Sequence, residues 1–246
     1  MSRTNRLGRV RRDLRVVGTL LRMLSAGRKV NPARAGGYSD ALAPHVRRRP
    51  DAPVLIGESG SLSWRELDEL ANRVAHWARA QGLGRGDIVA LLMENRPEFV
   101  AIWLGLSRLG IVSALLNTNL TGERLAHCVR EAAPRYWIVG TEQLEACAST
   151  LPHLEDQPAL LLSGPAATRP AALEEAENLD ELISALPTSE IDPALRRDLR
   201  MGDGLFLIYT SGTTGLPKAA KISHYKALIT GLGSKIAQEL TPRDRV

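Results

Sequence analysis

The chain has 246 residues, of which 44% are hydrophobic and 24% charged, a composition typical of a folded globular protein rather than a disordered or fibrous one. Its net charge of +5 is unevenly distributed: residues 1–49 carry 13 basic and two acidic residues, whereas residues 50–246 carry 19 basic and 25 acidic residues. The excess of acidic residues in the body excludes nucleic-acid binding by the protein as a whole. Only the short basic arm remains as a candidate site for a negatively charged partner.

The basic arm, residues 1–37, has the pattern of an amphipathic helix. Its apolar residues recur at steps of three and four, and they are Leu7, Val10, Leu14, Val17, Leu21 and Leu24. The longest uncharged apolar-rich run, Val16–Leu21, is far shorter than the roughly 20 residues that span a bilayer. No secretory signal pattern is present, and Gly36–Gly37 indicates a break before the body.

Three roles for the arm stay open on this pattern. Residues 1–30 could lie on an anionic membrane surface with their arginines toward the head groups. They could also form an organellar transit peptide or a helix that packs on the body of the protein. The first role predicts a cytoplasmic protein held peripherally on the inner face of a membrane.

The body begins with elements that have clear boundary signals. Ser39–Arg48 is predicted to be a short helix, and Val54–Gly57 with Ser61–Leu62 a hairpin. Ser63 and Glu66 form a capping box at the start of a helix that Gly82 ends.

Strands and helices then alternate. The predicted strands are Asp87–Met93, Ile111–Leu116, Tyr136–Val139, Ala159–Leu162 and Leu205–Tyr209. The helices between them are Pro97–Leu109, a helix from Thr121 to about Ala133, and Glu142–Ser149. Strands of continuous apolar residues that alternate with helices indicate an α/β fold with a doubly wound parallel sheet and helices on both faces. The acidic segment 164–201 is interpreted as a solvated connection with one helix at Leu173–Leu186.

A polar loop follows the last buried strand. It reads Thr210-Ser211-Gly212-Thr213-Thr214-Gly215-Leu216-Pro217-Lys218, and it precedes a strand-like segment, Ala219–Ile222, and a helix that Ser223 caps. Glycines let backbone N–H groups approach an anion, hydroxyls donate to phosphate oxygens, and a lysine supplies positive charge. The loop therefore suits a polyphosphate, although it lacks the Gly-Lys-Ser/Thr ending of a Walker A loop.

Metal and redox sites are not indicated. The two cysteines, Cys128 and Cys147, have no CxxC spacing and no histidine pair at zinc spacing. The spacing of the two cysteines does not exclude a disulfide between them, but we expect two reduced, partly buried thiols and a reducing compartment. His127 and Cys128 are interpreted as packing residues, and His224 as a structural residue at the start of a helix.

The segment Tyr209–Lys218, YTSGTTGLPK, resembles the signature phosphate-binding loop of the adenylate-forming superfamily, which includes the acyl-CoA synthetases. Gly86–Leu120 is similar to very-long-chain acyl-CoA synthetases and fatty-acid transport proteins, and Ser63–Leu67 resembles a further element of the superfamily. The resemblance covers about residues 38–246, which we expect to form a partial AMP-binding domain.

This resemblance implies an ATP-dependent fatty acid–CoA ligase for long or very long chains, with ATP, Mg²⁺ and CoA. By matching position, the β- and γ-phosphates would be held by Thr210, Ser211, Thr213, Thr214 and Lys218, and Gly212 and Gly215 would give clearance for them. The adenine site and the catalytic residues of the family are expected downstream of Val246. We therefore expect a fragment that cannot complete catalysis alone.

Two alternatives remain beside this interpretation. One is an adenylating enzyme for another carboxylic acid, which the acyl pocket would decide. The other is a non-catalytic, membrane-associated fragment or lipid-uptake partner in which the basic arm carries the function.

Overall fold

A computed structural model of the chain describes Ser25 and residues 31–57, 60–165, 168–210, 216–241 and 244. The amphipathic helix predicted for the arm lies outside these residues, and the domain boundary at residue 37 stays a prediction. Within the described part of the chain, no helix is long and apolar enough to cross a membrane.

The strands form one small and one large sheet. Their bounds are β1 Pro53–Gly57, β2 Gly60–Ser63, β3 Ile88–Leu92, β4 Val112–Leu115, β5 Tyr136–Gly140, β6 Ala159–Ser163, β7 Glu177–Asn178, β8 Gly204–Thr210 and β9 Lys218–Ser223. β1 and β2 pair as the predicted antiparallel hairpin. The large sheet has the order β7-β6-β5-β3-β4-β8-β9.

Most of the helices lie between strands in sequence, as the alternating pattern predicts. Their bounds are α1 Ala43–Arg48, α2 Trp64–Ala80, α3 Pro97–Arg108, α4 Gly122–Ala132, α5 Leu144–Thr150, α6 Leu179–Ser184 and α7 His224–Ala237. The predicted capping box is present at the start of α2: the Ser63 hydroxyl accepts from the Glu66 N–H at 3.2 Å, and the Glu66 carboxylate accepts from the Ser63 N–H at 2.7 Å. These bonds lower the pKa of Glu66.

Both faces of the sheet are buried. Along β3, Val89 and Leu91 belong to a core with α2 and α3, whereas Ala90 and Leu92 belong to a core with α4 and α5. β3 pairs in parallel with β4 on one side and with β5 on the other. The doubly wound parallel sheet with flanking helices is thus confirmed.

Two parts of the sheet differ from the simple parallel pattern. β9 runs antiparallel to β8 at one edge, because the two strands form a hairpin around the polar loop. At the other edge, the acidic segment contributes β7, which pairs in parallel with β6.

The interpretation of segment 164–201 as a solvated connection was wrong in part. Its glutamates at 174, 175, 177 and 181 are exposed, but Leu173, Leu179 and Ile183 are buried. Only Leu179–Ser184 of the predicted helix is α-helical. A few widely spaced apolar residues are enough to attach the segment to the core.

The two cysteines are free and buried, as expected for reduced thiols. Burial raises the pKa of Cys128 to about 11 and that of Cys147 to about 12. Both thiols therefore stay protonated and unreactive at neutral pH.

Candidate functional site

The polar loop leaves the sheet at the carboxyl edge of its parallel strands. β8 ends at Thr210 and β9 begins at Lys218, and these two residues are opposite each other in the hairpin. Because β8 is parallel to β4, the loop begins at the edge where β3, β4, β5 and β6 also end. Open α/β sheets bind their ligands at this edge.

The ends of the loop are exposed. The described residues include Thr210 and Lys218, and both are open to solvent. The other predicted phosphate ligands, which are Ser211, Gly212, Thr213, Thr214 and Gly215, lie outside the described residues. An exposed lysine beside backbone and hydroxyl donors can attract and hold an anion without forming a covalent bond.

A cleft of about 1080 Å³ opens at the same edge. It is lined by polar residues that follow the strands, among them Asn95, Arg96, Asn117 and Glu142, and by apolar residues such as Phe99. It lies at the point where the strand order reverses: β4 is added on one side of β3, and β5, the next strand along the chain, is added on the other side. This cleft was not predicted from the sequence: the position of its residues directly after predicted strands indicates only which edge of the sheet they share, and not which of them become neighbours.

Arg96 is the main cation of the cleft wall. Its guanidinium donates to the carbonyl oxygen of Ser163 at 2.8 Å and to the hydroxyl of the same residue at 3.1 Å. The carboxylates of Glu98 and Glu142 lie 3.8 and 3.9 Å from it. The arginine thus links the ends of β3 and β6 and offsets the negative charge of the two glutamates near it.

Acidic residues do not form a metal site in the described ranges: no group of three His, Cys, Asp or Glu side chains there is arranged to hold a metal ion.

Asn117 and Asn119, which follow β4, make a turn in which the N–H of Asn119 donates to the side-chain oxygen of Asn117 at 2.9 Å.

His224 has the structural environment expected at the start of α7. It is fully buried, and its Nδ1 accepts from the backbone N–H of Tyr38 at 3.0 Å. Its own backbone N–H donates to the carbonyl of Asp203. Burial lowers its pKa to about 4; the charge of Arg196 acts in the same direction, and that of Asp203 opposes it.

His224 should make the stability of the protein depend on pH. Because its pKa is about 4 in the folded state and near 6.5 in the unfolded state, the stabilisation is present above pH 6.5 and is lost as the pH falls toward 4. Between pH 7 and pH 5, we expect this residue to lower the free energy of unfolding by about 2 kcal/mol. His224→Asn keeps an acceptor but does not titrate. Urea unfolding at both pH values should therefore show a smaller loss in the variant, and equal losses would contradict the assignment.

The comparisons with known proteins identify a family and a set of relatives. Residues 42–246 match the family described as AMP-binding enzyme. The chain is 38% identical to long-chain fatty acid transport protein 1 of Mus musculus over 217 residues, which are 87% of this chain and 33% of that protein. It is 32% identical to a 3-hydroxybenzoate–CoA/4-hydroxybenzoate–CoA ligase of Thauera aromatica over 220 residues, 89% of this chain and 40% of that protein.

Solved structures share the fold. The apo structure of MbtA from Mycobacterium smegmatis has a TM-score of 0.72 at 24% identity, covering 89% of this chain and 40% of that one. The anthranilate CoA ligase AuaEII, solved with anthranoyl-AMP, has a TM-score of 0.67 at 24% identity, covering 81% of this chain and 36% of that one. The chain spans about a third of the length of the fatty acid transport proteins that it matches.

Proposed function

Because the chain belongs to the AMP-binding enzyme family, we propose that it contributes the triphosphate-binding part of an ATP-dependent fatty acid–CoA ligase. The observation that carries the proposal is the hairpin that presents Thr210 and Lys218 at the carboxyl edge of the sheet. The family assignment supports adenylate chemistry, and the relatives named fatty acid transport proteins support a long-chain acid as the substrate.

The reaction has two steps. The fatty carboxylate attacks the α-phosphate of ATP, so that an acyl-adenylate forms and pyrophosphate leaves. The thiol of CoA then attacks the acyl carbonyl, so that the thioester forms and AMP leaves. Mg²⁺ would enter with the triphosphate, whose charge it reduces.

The residues of this chain act by binding and orientation. The loop Thr210–Lys218 would hold the β- and γ-phosphates, and its fixed donors would stabilise the charge that develops on the departing pyrophosphate. The long or very long chain length of the acid is part of the proposal. The Thauera aromatica relative is named as a ligase of hydroxybenzoates, which supports an aromatic acid as the alternative substrate.

The 246-residue chain alone should bind MgATP through the triphosphate but should not make acyl-CoA. The support for this is that the chain spans about a third of its curated relatives. Calorimetric titration with MgATP and an assay with palmitate, ATP, Mg²⁺ and CoA would test the two parts separately. Absence of MgATP binding would contradict the proposed role of the loop, and formation of palmitoyl-CoA would contradict the expected incapacity.

Lys218→Ala should weaken MgATP binding about tenfold, because it removes a charge-assisted contact with a phosphate oxygen. Lys221→Ala is the matched control, since Lys221 is an exposed lysine of the same strand, three residues further from the loop. Calorimetry on both variants measures the difference. If the two changes had equal effects, Lys218 would contribute only general positive charge.

A peripheral membrane position for the whole protein is also part of the proposal. Its support is the excess of basic residues in 1–49 and the apolar stripe of the arm. The chain should co-sediment with phosphatidylserine vesicles and not with phosphatidylcholine vesicles, and a chain without residues 1–30 should bind neither. Equal binding to both lipids would contradict the electrostatic part of this proposal.

A further inference from the structure

Helix α4 contacts both ends of the polar loop through two consecutive residues. At the entry to the loop, the hydroxyl of Tyr209 on β8 donates to the carbonyl oxygen of Cys128 at 2.8 Å. At the exit, Nε2 of His127 lies 3.2 Å from the carbonyl oxygen of Pro217. Six of the seven residues matched to phosphate binding, 210–215, lie in sequence between these contacts, and the seventh, Lys218, directly follows Pro217.

The chemistry of each contact fixes its direction. A carbonyl oxygen only accepts, so the His127 tautomer that makes the contact has its proton on Nε2. The carboxylate of Glu131, one turn further along α4, lies 3.5 Å from the same nitrogen and favours that proton position. Burial raises the pKa of Tyr209, so its hydroxyl stays protonated and able to donate.

We propose that α4 is a two-point clamp on the phosphate-binding loop, in which His127 and Tyr209 are positioning residues. This inference rests on the proposed function of the loop. It also replaces the interpretation of His127 as a packing residue, because its side chain is only partly buried and directs a nitrogen at the loop.

The clamp has a physical purpose. Glycine restricts the backbone less than any other residue, so ordering a glycine-rich segment on a ligand costs conformational entropy. Fixing both ends to one helix removes part of that cost before the ligand arrives. The bond at Pro217 also orients the peptide group that leads into Lys218: proline has a fixed φ, and holding its carbonyl oxygen restricts the remaining angle, ψ.

Backbone hydrogen exchange of the nucleotide-free 246-residue chain measures the clamp directly. In peptides that cover residues 209–218, His127→Ala and Tyr209→Phe should each increase exchange about five-fold, the effect of one net hydrogen bond. Each should weaken MgATP binding by a similar factor. His127→Gln should return both values close to those of the parent, because the amide nitrogen of glutamine can donate from the position of Nε2.

Two control variants remove similar bonds away from the loop. His76→Ala removes a contact between His76 Nε2 on α2 and the carbonyl of Ser189 at 2.9 Å. Tyr136→Phe removes a bond from the hydroxyl of Tyr136 on β5 to the side chain of Gln81 at 2.9 Å. Neither should change loop exchange or MgATP affinity, whatever its effect on the melting temperature.

The outcomes separate the clamp from the function of the loop. Unchanged loop exchange in a folded His127→Ala/Tyr209→Phe variant would overturn the clamp. Faster exchange that His127→Gln reverses supports the clamp even if the parent does not bind MgATP, and that second result would count against the proposed function alone.

Discussion

Replacing Gly105 by alanine is expected to lower the free energy of unfolding by about 3 kcal/mol, because the site has no room for a methyl group. Gly105 lies in α3 where this helix crosses α2. A Cβ atom there would be 2.5 Å from the carbonyl oxygen of Ala71 and 2.7 Å from Cβ of Val74. Both contacts involve atoms that cannot rotate away, so the two helices would have to separate. Urea unfolding followed by circular dichroism measures the loss.

Gly233→Ala is the control for this change. Gly233 also lies inside a helix, α7, but a Cβ atom there has nothing within 4 Å. Alanine is favoured over glycine in helices by about 1 kcal/mol, so this variant should be slightly more stable than the parent. If Gly105→Ala were also more stable than the parent, helix propensity, rather than the close contact of α2 with α3, would determine the result at Gly105.

Asp68→Ala is the second change with a large expected effect. The guanidinium of Arg108 is buried, with its side chain 7% exposed, and donates to a carboxylate oxygen of Asp68 at 2.7 Å. It also donates to the side-chain oxygen of Asn72. Removing Asp68 leaves this cation buried without a carboxylate, which should lower the free energy of unfolding by about 3 kcal/mol.

Two further variants test the cause of that loss. The exposed pair Arg65–Asp51, with its atoms 3.1 Å apart, is the control, and Asp51→Ala should cost less than about 1 kcal/mol. The double variant Asp68→Ala/Arg108→Met removes both charges and should recover much of the stability. If the double variant were no more stable than Asp68→Ala, the buried charge would not be the cause.

The sequence predicts the fold well where its local signals agree. Apolar runs such as Asp87–Met93 mark strands that the structure buries on both faces, and the capping box at Ser63 marks the start of α2. β9 was predicted as a strand, but not its antiparallel direction, because direction depends on the length of the loop between two strands and not on the strand residues. β7 escaped prediction because two residues carry no periodic pattern.

The candidate site also has one part that the sequence predicts and another that it does not. The loop Thr210–Lys218 is visible in the sequence because its residues are adjacent. The cleft and the clamp are not visible, since Arg96, Asn117 and Glu142, or His127 and Pro217, are brought together only by the sheet order. Such groupings depend on which strands become neighbours, and no short stretch of sequence contains that information.

The position of β8 in the sheet has a consequence for how the protein reaches its folded state. The other parallel pairs, β3–β4, β3–β5, β5–β6 and β6–β7, join strands that are closer in sequence. Phe206 of β8, in contrast, pairs with Ser113 of β4 across the whole of residues 114–205. Closing so long a segment is entropically unfavourable until the earlier strands form a surface that rewards it. We therefore expect the hairpin that carries the phosphate-binding loop to join the sheet late in folding. Substitutions that weaken the β4–β8 pairing should therefore slow the appearance of nucleotide binding during refolding more than they slow the formation of the other strands.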